Sequence, residues 1–177
     1  DATYTWDALN RLVGSTSDSV VMSRSLDSLG DPLSESRDGR TVSYAYAPTN
    51  PGRLESITYP GSGHTVTEGY DSNGRWSSVT DWAGNQTTFD WGSASDAVSH
   101  PNVVGMLKQV TFPGGSGEGR EFDADGAVSR VSYEWPAGSW PIGYARSQGE
   151  VLSSRVQLGG SSAWTYDASG ELTTETN

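Results

Sequence analysis

Apolar and polar residues alternate over short stretches of this chain, as in Ser43-Tyr44-Ala45-Tyr46, Ser132-Tyr133-Glu134-Trp135 and Trp164-Thr165-Tyr166. A period of two carried by aromatic residues predicts half-buried β-strands. The stretches end in one recurring signature: an aromatic or large apolar residue, usually Asp, a short gap, Gly or Asn, then a further apolar residue. The clearest copies are Trp6-Asp7-Ala8-Leu9-Asn10-Arg11-Leu12, Tyr70-Asp71-Ser72-Asn73-Gly74-Arg75-Trp76, Phe122-Asp123-Ala124-Asp125-Gly126-Ala127-Val128 and Tyr166-Asp167-Ala168-Ser169-Gly170-Glu171-Leu172. Weaker copies are Leu26-Asp27 with Gly30, Tyr46-Ala47 with Gly52, Phe89-Asp90 with Gly105, and Tyr144-Ala145 with Gly149.

Asp followed three residues later by Gly predicts a type I turn that ends in a left-handed residue. The Asp side chain bonds back to the turn, and Gly adopts positive φ without steric cost. Asn10 stands in for Gly in the first copy, and Asn tolerates that conformation next best. Turns are therefore expected near residues 7–10, 27–30, 47–52, 71–74, 90–105, 123–126, 145–149 and 167–170. The residues expected to shape them are Asp7, Asn10, Asp27, Gly30, Gly52, Asp71, Gly74, Asp90, Gly105, Asp123, Gly126, Gly149, Asp167 and Gly170. From one Gly or Asn to the next the steps are 20, 22, 22, 31, 21, 23 and 21 residues, and such a period means a repeat architecture. Between the signatures lie further turn signals, Pro60-Gly61-Ser62-Gly63, Trp82-Ala83-Gly84-Asn85, Pro113-Gly114-Gly115 and Gly159-Gly160. Each repeat is then one β-hairpin. Residues 1–177 are expected to form one all-β array of about eight hairpins in a twisted, spiralling antiparallel sheet. Hairpins in phase place equivalent residues side by side, so Trp6, Leu26, Tyr46, Tyr70, Phe89, Phe122, Tyr144 and Tyr166 should form a ladder on one face.

The Tyr-Asp pairs Tyr70-Asp71 and Tyr166-Asp167 resemble the defining pair of the YD-repeat, or Rhs-repeat, family. Gly69 to Arg75, continued by Val79 to Asp90, is similar to a nearly complete unit, and the resemblance covers essentially the whole chain. Departures are Leu26 in an aromatic position, Ala47 and Ala145 in Asp positions, and an insertion at residues 92–104. The resemblance implies a wall that encloses a C-terminal toxin, or a barrel that carries adhesion domains, as in teneurin-like proteins. About sixteen strands at about 4.8 Å span about 77 Å, whereas a sheet around a 100-residue cargo needs about 138 Å. The chain is thus expected to supply part of such a wall. In toxin-bearing relatives the wall resembles one that ends in an Asp-Pro-x-Gly self-cleavage motif. Here Asp31-Pro32-Leu33 is followed by Ser34, and a turn is the simpler reading.

Only 33% of the residues are hydrophobic, but seven Trp, eight Tyr and three Phe are present, so ring stacks along the sheet should supply much of the buried area. No apolar run approaches the roughly 20 residues of a membrane span, and no signal-peptide pattern is visible within the given residues. With no Cys, disulfides and thiolate metal sites are excluded. The net charge of −11 opposes nucleic acid and anionic membranes as partners. An extracellular or cell-surface setting is expected.

Candidate chemistry is sparse, and neither enzymatic activity nor a cofactor or metal is expected. His64 and His100 read as solvated loop residues. Asp123-Ala124-Asp125-Gly126 lacks the remaining acidic positions of a calcium loop. Gly114 to Gly119 fits neither a dinucleotide nor a phosphate-loop fingerprint, and no Gly-x-Ser-x-Gly elbow is present. Trp82 and Trp140, in turn segments, are candidates for stacking on glycans, with packing between hairpins as the plainer role for most tryptophans. The end hairpins carry no atypical polar capping sequence. Adjacent repeats of a longer chain, or further copies of the same chain joined head to tail into a filament, are the expected partners.

Overall fold

In a computed structural model the described residues are 1–96, 103–146, 152–157, 160–167 and 169–176. The fold is all-β. Sixteen strands follow one another in chain order, and they divide into two units, Asp1–Gln86 and Thr87–Asn177. The first unit holds β1 (Ala2–Trp6), β2 (Leu12–Ser17), β3 (Val20–Leu26), β4 (Pro32–Arg37), β5 (Arg40–Tyr46), β6 (Leu54–Thr58), β7 (Thr65–Tyr70) and β8 (Trp76–Thr80). The second holds β9 (Gln86–Trp91), β10 (Leu107–Thr111), β11 (Gly117–Phe122), β12 (Val128–Trp135), β13 (Gly138–Arg146), β14 (Leu152–Gln157), β15 (Gly160–Tyr166) and β16 (Leu172–Thr176). Within each unit every strand pairs antiparallel with its neighbours in sequence.

The signature turns share one geometry. The backbone N–H of Asp71 donates to the Arg75 carbonyl at 2.9 Å, and that of Gly74 donates to the Asp71 carbonyl at 3.0 Å. The same two bonds close the turns that start at Asp7, Asp27, Asp123 and Asp167. At the fourth position Asn10 has φ 60°, and Gly30, Gly74, Gly126 and Gly170 have φ 99°, 79°, 84° and 83°. This is a type I turn followed by a left-handed residue, a common hairpin connection. The turn at Ala47 is two residues longer, and Gly52 there has φ 80°.

Each hairpin also carries a β-bulge just after the turn. Trp6 faces Leu12 while Thr5 faces Gly14, which leaves Val13 as the extra residue. The same shift places Leu26 opposite Pro32, Tyr46 opposite Leu54, Tyr70 opposite Trp76, Phe122 opposite Val128, and Tyr166 opposite Leu172. The bulge lets the residue before the turn and the apolar residue after it pack on the same face despite an odd residue count.

This register corrects two copies. In the fifth, Trp91, not Phe89, faces the post-turn residue Leu107, and Asp90 lies inside β9 opposite Gln109. The turn starts at Gly92, whose N–H donates to the Met106 carbonyl at 2.8 Å, while the Gly105 N–H (φ 82°) donates to the Gly92 carbonyl at 2.9 Å. The insertion is thus held within the turn, and the strand ladder on either side keeps its pattern. In the seventh copy Arg146, not Tyr144, faces Leu152, so Tyr144 and Ala145 are strand residues. Both errors are of two residues, a step that keeps a side chain on the same face and leaves the alternation unchanged. Gly149, His100 and Gly159 lie outside the described residues.

Cross-strand pairing settles which residues share a face. In the first unit Tyr4, Ser15 and Met22 stand in one row, Arg24, Glu35 and Val42 in another, and Tyr44, Ile57 and Val66 in a third. Steps of two from these rows put Trp6, Leu26, Tyr46 and Tyr70 on a common face. In the second unit Phe89, Val110, Glu118, Tyr133 and Trp140 form one row. Phe122, Tyr144 and Tyr166 share that face through the same counting. Ring burial is partial. Phe122 is 7% exposed and Trp6 54%, and the other apolar residues below a tenth exposure among those described are Ala47 and Val103. Within each unit the strand contacts run between neighbours in sequence, so burial comes from lateral packing.

Gly74→Val and Gly126→Val should each lower the unfolding free energy by on the order of 1 kcal/mol or more, because a β-branched residue resists positive φ. Asn at the same positions should cost less. Urea denaturation of the variants measures both.

Candidate functional site

The regular feature of this chain is the rim formed by its signature turns, and its chemistry starts from the aspartates. Asp7 Oδ1 accepts the N–H groups of Leu9 and Arg11, each at 2.9 Å, and Oδ2 accepts Arg11 Nε at 2.7 Å. Asp71 repeats this with Asn73 and Arg75, its Oδ2 lying 2.7 Å from Arg75 Nη2. Asp27, Asp123 and Asp167 hold the corresponding N–H groups with Oδ1. These contacts lower the pKa of Asp7 and Asp71. The largest cause is the backbone N–H of the residue after the left-handed position, followed by the arginine side chain at that place.

Asp81 makes the same turn on the opposite rim. Its N–H donates to the Asn85 carbonyl, Gly84 (φ 84°) donates to the Asp81 carbonyl, and Oδ1 accepts Ala83 and Asn85 N–H groups. Its carboxyl is also held below the ordinary value, first by the Asn85 side chain. In the sequence this segment is marked as a turn by Trp82-Ala83-Gly84-Asn85, and the structure adds Asp81 as the residue that starts it. Two-residue turns at Asp18-Ser19 (φ 48° and 71°) and Asp38-Gly39 (φ 52° and 78°) were also missed. Asp-Gly between two strands was the available signal for the second.

Neighbouring signature turns are wired together by side chains. Arg11 Nη1 donates to the Asp27 carbonyl at 2.9 Å, joining the first turn to the second. Arg53, from the same place in the third turn, lies over the Tyr70 ring at 5.1 Å. Contacts run backwards too. The carbonyl of the first post-turn strand residue is met from the next hairpin: Tyr46 Oη donates to the Pro32 carbonyl at 3.0 Å, and Tyr70 Oη lies 2.8 Å from that of Leu54 and 2.5 Å from Glu68 Oε2, its one proton shared between the two acceptors. Leu26 has no hydroxyl, and Arg24, on the same face two residues earlier, donates Nε to the Leu12 carbonyl at 2.6 Å instead. Burial raises the pKa of Tyr46 and Tyr70 and keeps them as donors.

Asp90 and Asp96 converge on Lys108, at 3.4 Å and 2.8 Å. Lys108, with the Ser93 hydroxyl and N–H behind it, holds the Asp96 carboxyl well below the usual range, and the cluster pins the start of the insertion. Trp82 is 57% exposed and meets the Tyr59 ring edge-on at 6.4 Å and His64 at 5.5 Å. Trp140 lies in β13, not in a turn as its sequence suggests, because the chain reverses before Gly138; it is 43% exposed and shares its hairpin face with Tyr133 and Trp135, at 47% and 44%. The two tryptophans lie in different units. Among the described residues no three His, Cys, Asp or Glu side chains converge as a metal site would need, and no helix is long and apolar enough to cross a membrane.

No protein-family model matches the sequence, and no curated protein matches it. Solved structures with a similar strand arrangement include the crystal structure of TcdB2-TccC3-TEV, with TM-score 0.41 and 14% identity over 98% of this chain. They include the Photorhabdus luminescens Tc holotoxin pore, with TM-score 0.31 and 10% identity over 97% of this chain. A porin-like protein from Bacteroides uniformis has TM-score 0.34 and 12% identity, covering 98% of this chain and 80% of that one. The chain spans 11% and 12% of the lengths of the first two.

The pKa shift of Asp71 sets a pH dependence. Because the folded value is depressed, the ionised carboxylate stabilises the fold above its unfolded pKa of about 3.9, and that contribution is lost as pH falls through the folded value. Asp71→Asn should therefore melt below the parent chain at neutral pH, and the gap should close on acidification below about pH 4. Thermal melts of both proteins across pH 7 to 2.5 measure it.

Proposed function

We propose that this chain is a non-catalytic structural segment of a YD-repeat-like array, one stretch of a β-sheet wall in a secreted or cell-surface protein. The observation that carries the reading is the wiring between turns. In the first unit each signature hairpin is tied to the next by a side chain that completes its neighbour's backbone hydrogen bonds. A scaffold needs such nearest-neighbour contacts. Both oxygens of Asp7 and Asp71 are engaged in that scaffold, which favours a structural over a catalytic role for them. On this reading the chain needs no cofactor, and its partners are adjacent repeats of a longer chain or further copies of itself.

Deleting residues 31–52 removes one repeat step and joins Gly30 to Arg53, which recreates the Gly-Arg junction of the fourth turn. The shortened chain should fold, with a denaturant slope lower by about an eighth in proportion to the surface lost. Deleting residues 31–42 breaks the phase and should abolish cooperative unfolding. Equal loss of folding in both deletions would count against the repeat scaffold.

A second reading, carbohydrate binding, is favoured by the exposed rings of Tyr133, Trp135 and Trp140 on one hairpin face and by exposed Trp82. Flat rings held at the surface are suited to stacking on sugar faces. Glycan-array binding that disappears in Trp82→Ala and Trp140→Ala supports it, and retention of all signals in both variants removes it.

A further inference from the structure

A groove of about 320 Å³ lies on the ring-bearing face of the first unit, across β2 to β5. Its floor is apolar, built from Leu12, Val13, Met22 and Val42. Its rim gathers Arg24, Arg37 and Arg40 against one acidic residue, Glu35. That balance is unusual in a chain with 22 acidic and 11 basic residues.

Arg37 and Arg40 are directly opposed across β4 and β5. Directly opposed like charges are destabilising in a sheet, and little within the chain relieves this pair. Arg37 Nε is 3.9 Å from Asp38 Oδ2, between side chains 69% and 52% exposed, and water screens such a pair strongly. Asp38 Oδ1 already accepts the Val21 N–H at 3.0 Å. Among the described residues no ion pair reaches Arg40. Met22, 49% exposed, faces Arg37 on the other side. Arg40, with no ion pair among the described residues, and Arg37, with only a long, exposed one, thus stand at the end of an apolar trough.

We propose that this groove is a binding site for an amphipathic carboxylate, with the carboxylate between Arg37 and Arg40 and the apolar body over Met22, Val13 and Val42. Guanidinium forks match the two oxygens of a carboxylate. Glu35, in the next row between Arg24 and Val42 and bonded to Tyr44 Oη at 3.1 Å, disfavours a ligand with a second negative charge. The volume lies at the lower end of small-molecule pockets, which sets the ligand at the size of a medium-chain acid. Unlike the wall described above, this site does not depend on further repeats.

The test is calorimetric titration of the full chain with octanoate, 1-octanol and acetate. Octanoate should bind at least about tenfold more tightly than either, since it alone supplies both halves of the contact. Arg37→Gln and Arg40→Gln should each weaken octanoate about tenfold and leave octanol unchanged, and Met22→Ser should weaken octanoate but not acetate. All three side chains are exposed, so circular dichroism and melting should stay close to the parent's, as should octanoate binding by the distant variant Arg130→Gln. Octanoate and octanol binding equally, arginine variants without effect, or no octanoate binding at millimolar concentration would each overturn the site.

Discussion

The fold depends on a three-residue step from Asp to a residue that accepts positive φ. Between two strands that step must reverse the chain, satisfy the N–H groups of the turn, and return the chain in register. The aspartate meets the second requirement by accepting N–H groups two and four residues on, as Asp7, Asp71 and Asp167 do. Asn10, Gly74 and Gly170 meet the first with φ near 60° to 80°. Two turns keep the closing backbone bonds without the aspartate, those that start at Ala47 and Gly92. The insertion after Gly92 leaves the closing bonds to Met106 and from Gly105 in place.

The bulge that follows the turn gives a role to the tyrosine that precedes the turn in the third and fourth copies. A ring with a terminal hydroxyl on the next hairpin has the reach to meet a backbone carbonyl there. Tyr46 and Tyr70 do so for Pro32 and Leu54, and Arg24 does so for Leu12 where Leu26 cannot. A half-buried carbonyl left unpaired would cost about 1 to 3 kcal/mol. In the fourth copy the pair divides the work: Asp71 completes its own turn and Tyr70 reaches a carbonyl of the previous hairpin.

With one sheet layer in each unit, stability must come from lateral contacts, since few side chains are buried. That leaves exposed rings and an apolar trough on the same faces that carry the ladder. In the first unit the trough lies beside Arg24, Arg37 and Arg40, a local concentration of positive charge in an acidic chain.

Much of this was legible in the sequence. The period of about 21 residues, the Asp-to-Gly spacing and the alternation around Tyr44, Tyr133 and Trp164 specify hairpins in tandem, because turn chemistry and strand alternation are local properties. Within each unit the common face of the ladder follows from that phase. The copies at Phe89-Asp90 and Tyr144-Ala145 were misplaced by two residues because period-two alternation is blind to a slip of two, and only pairing with Leu107 and Leu152 resolves it. The bulges, the hydroxyl-to-carbonyl bridges and the opposition of Arg37 and Arg40 were likewise decided by tertiary structure. Each depends on which residue of one strand faces which residue of the next, and that register is set by summed cross-strand packing, not by any single residue's preference.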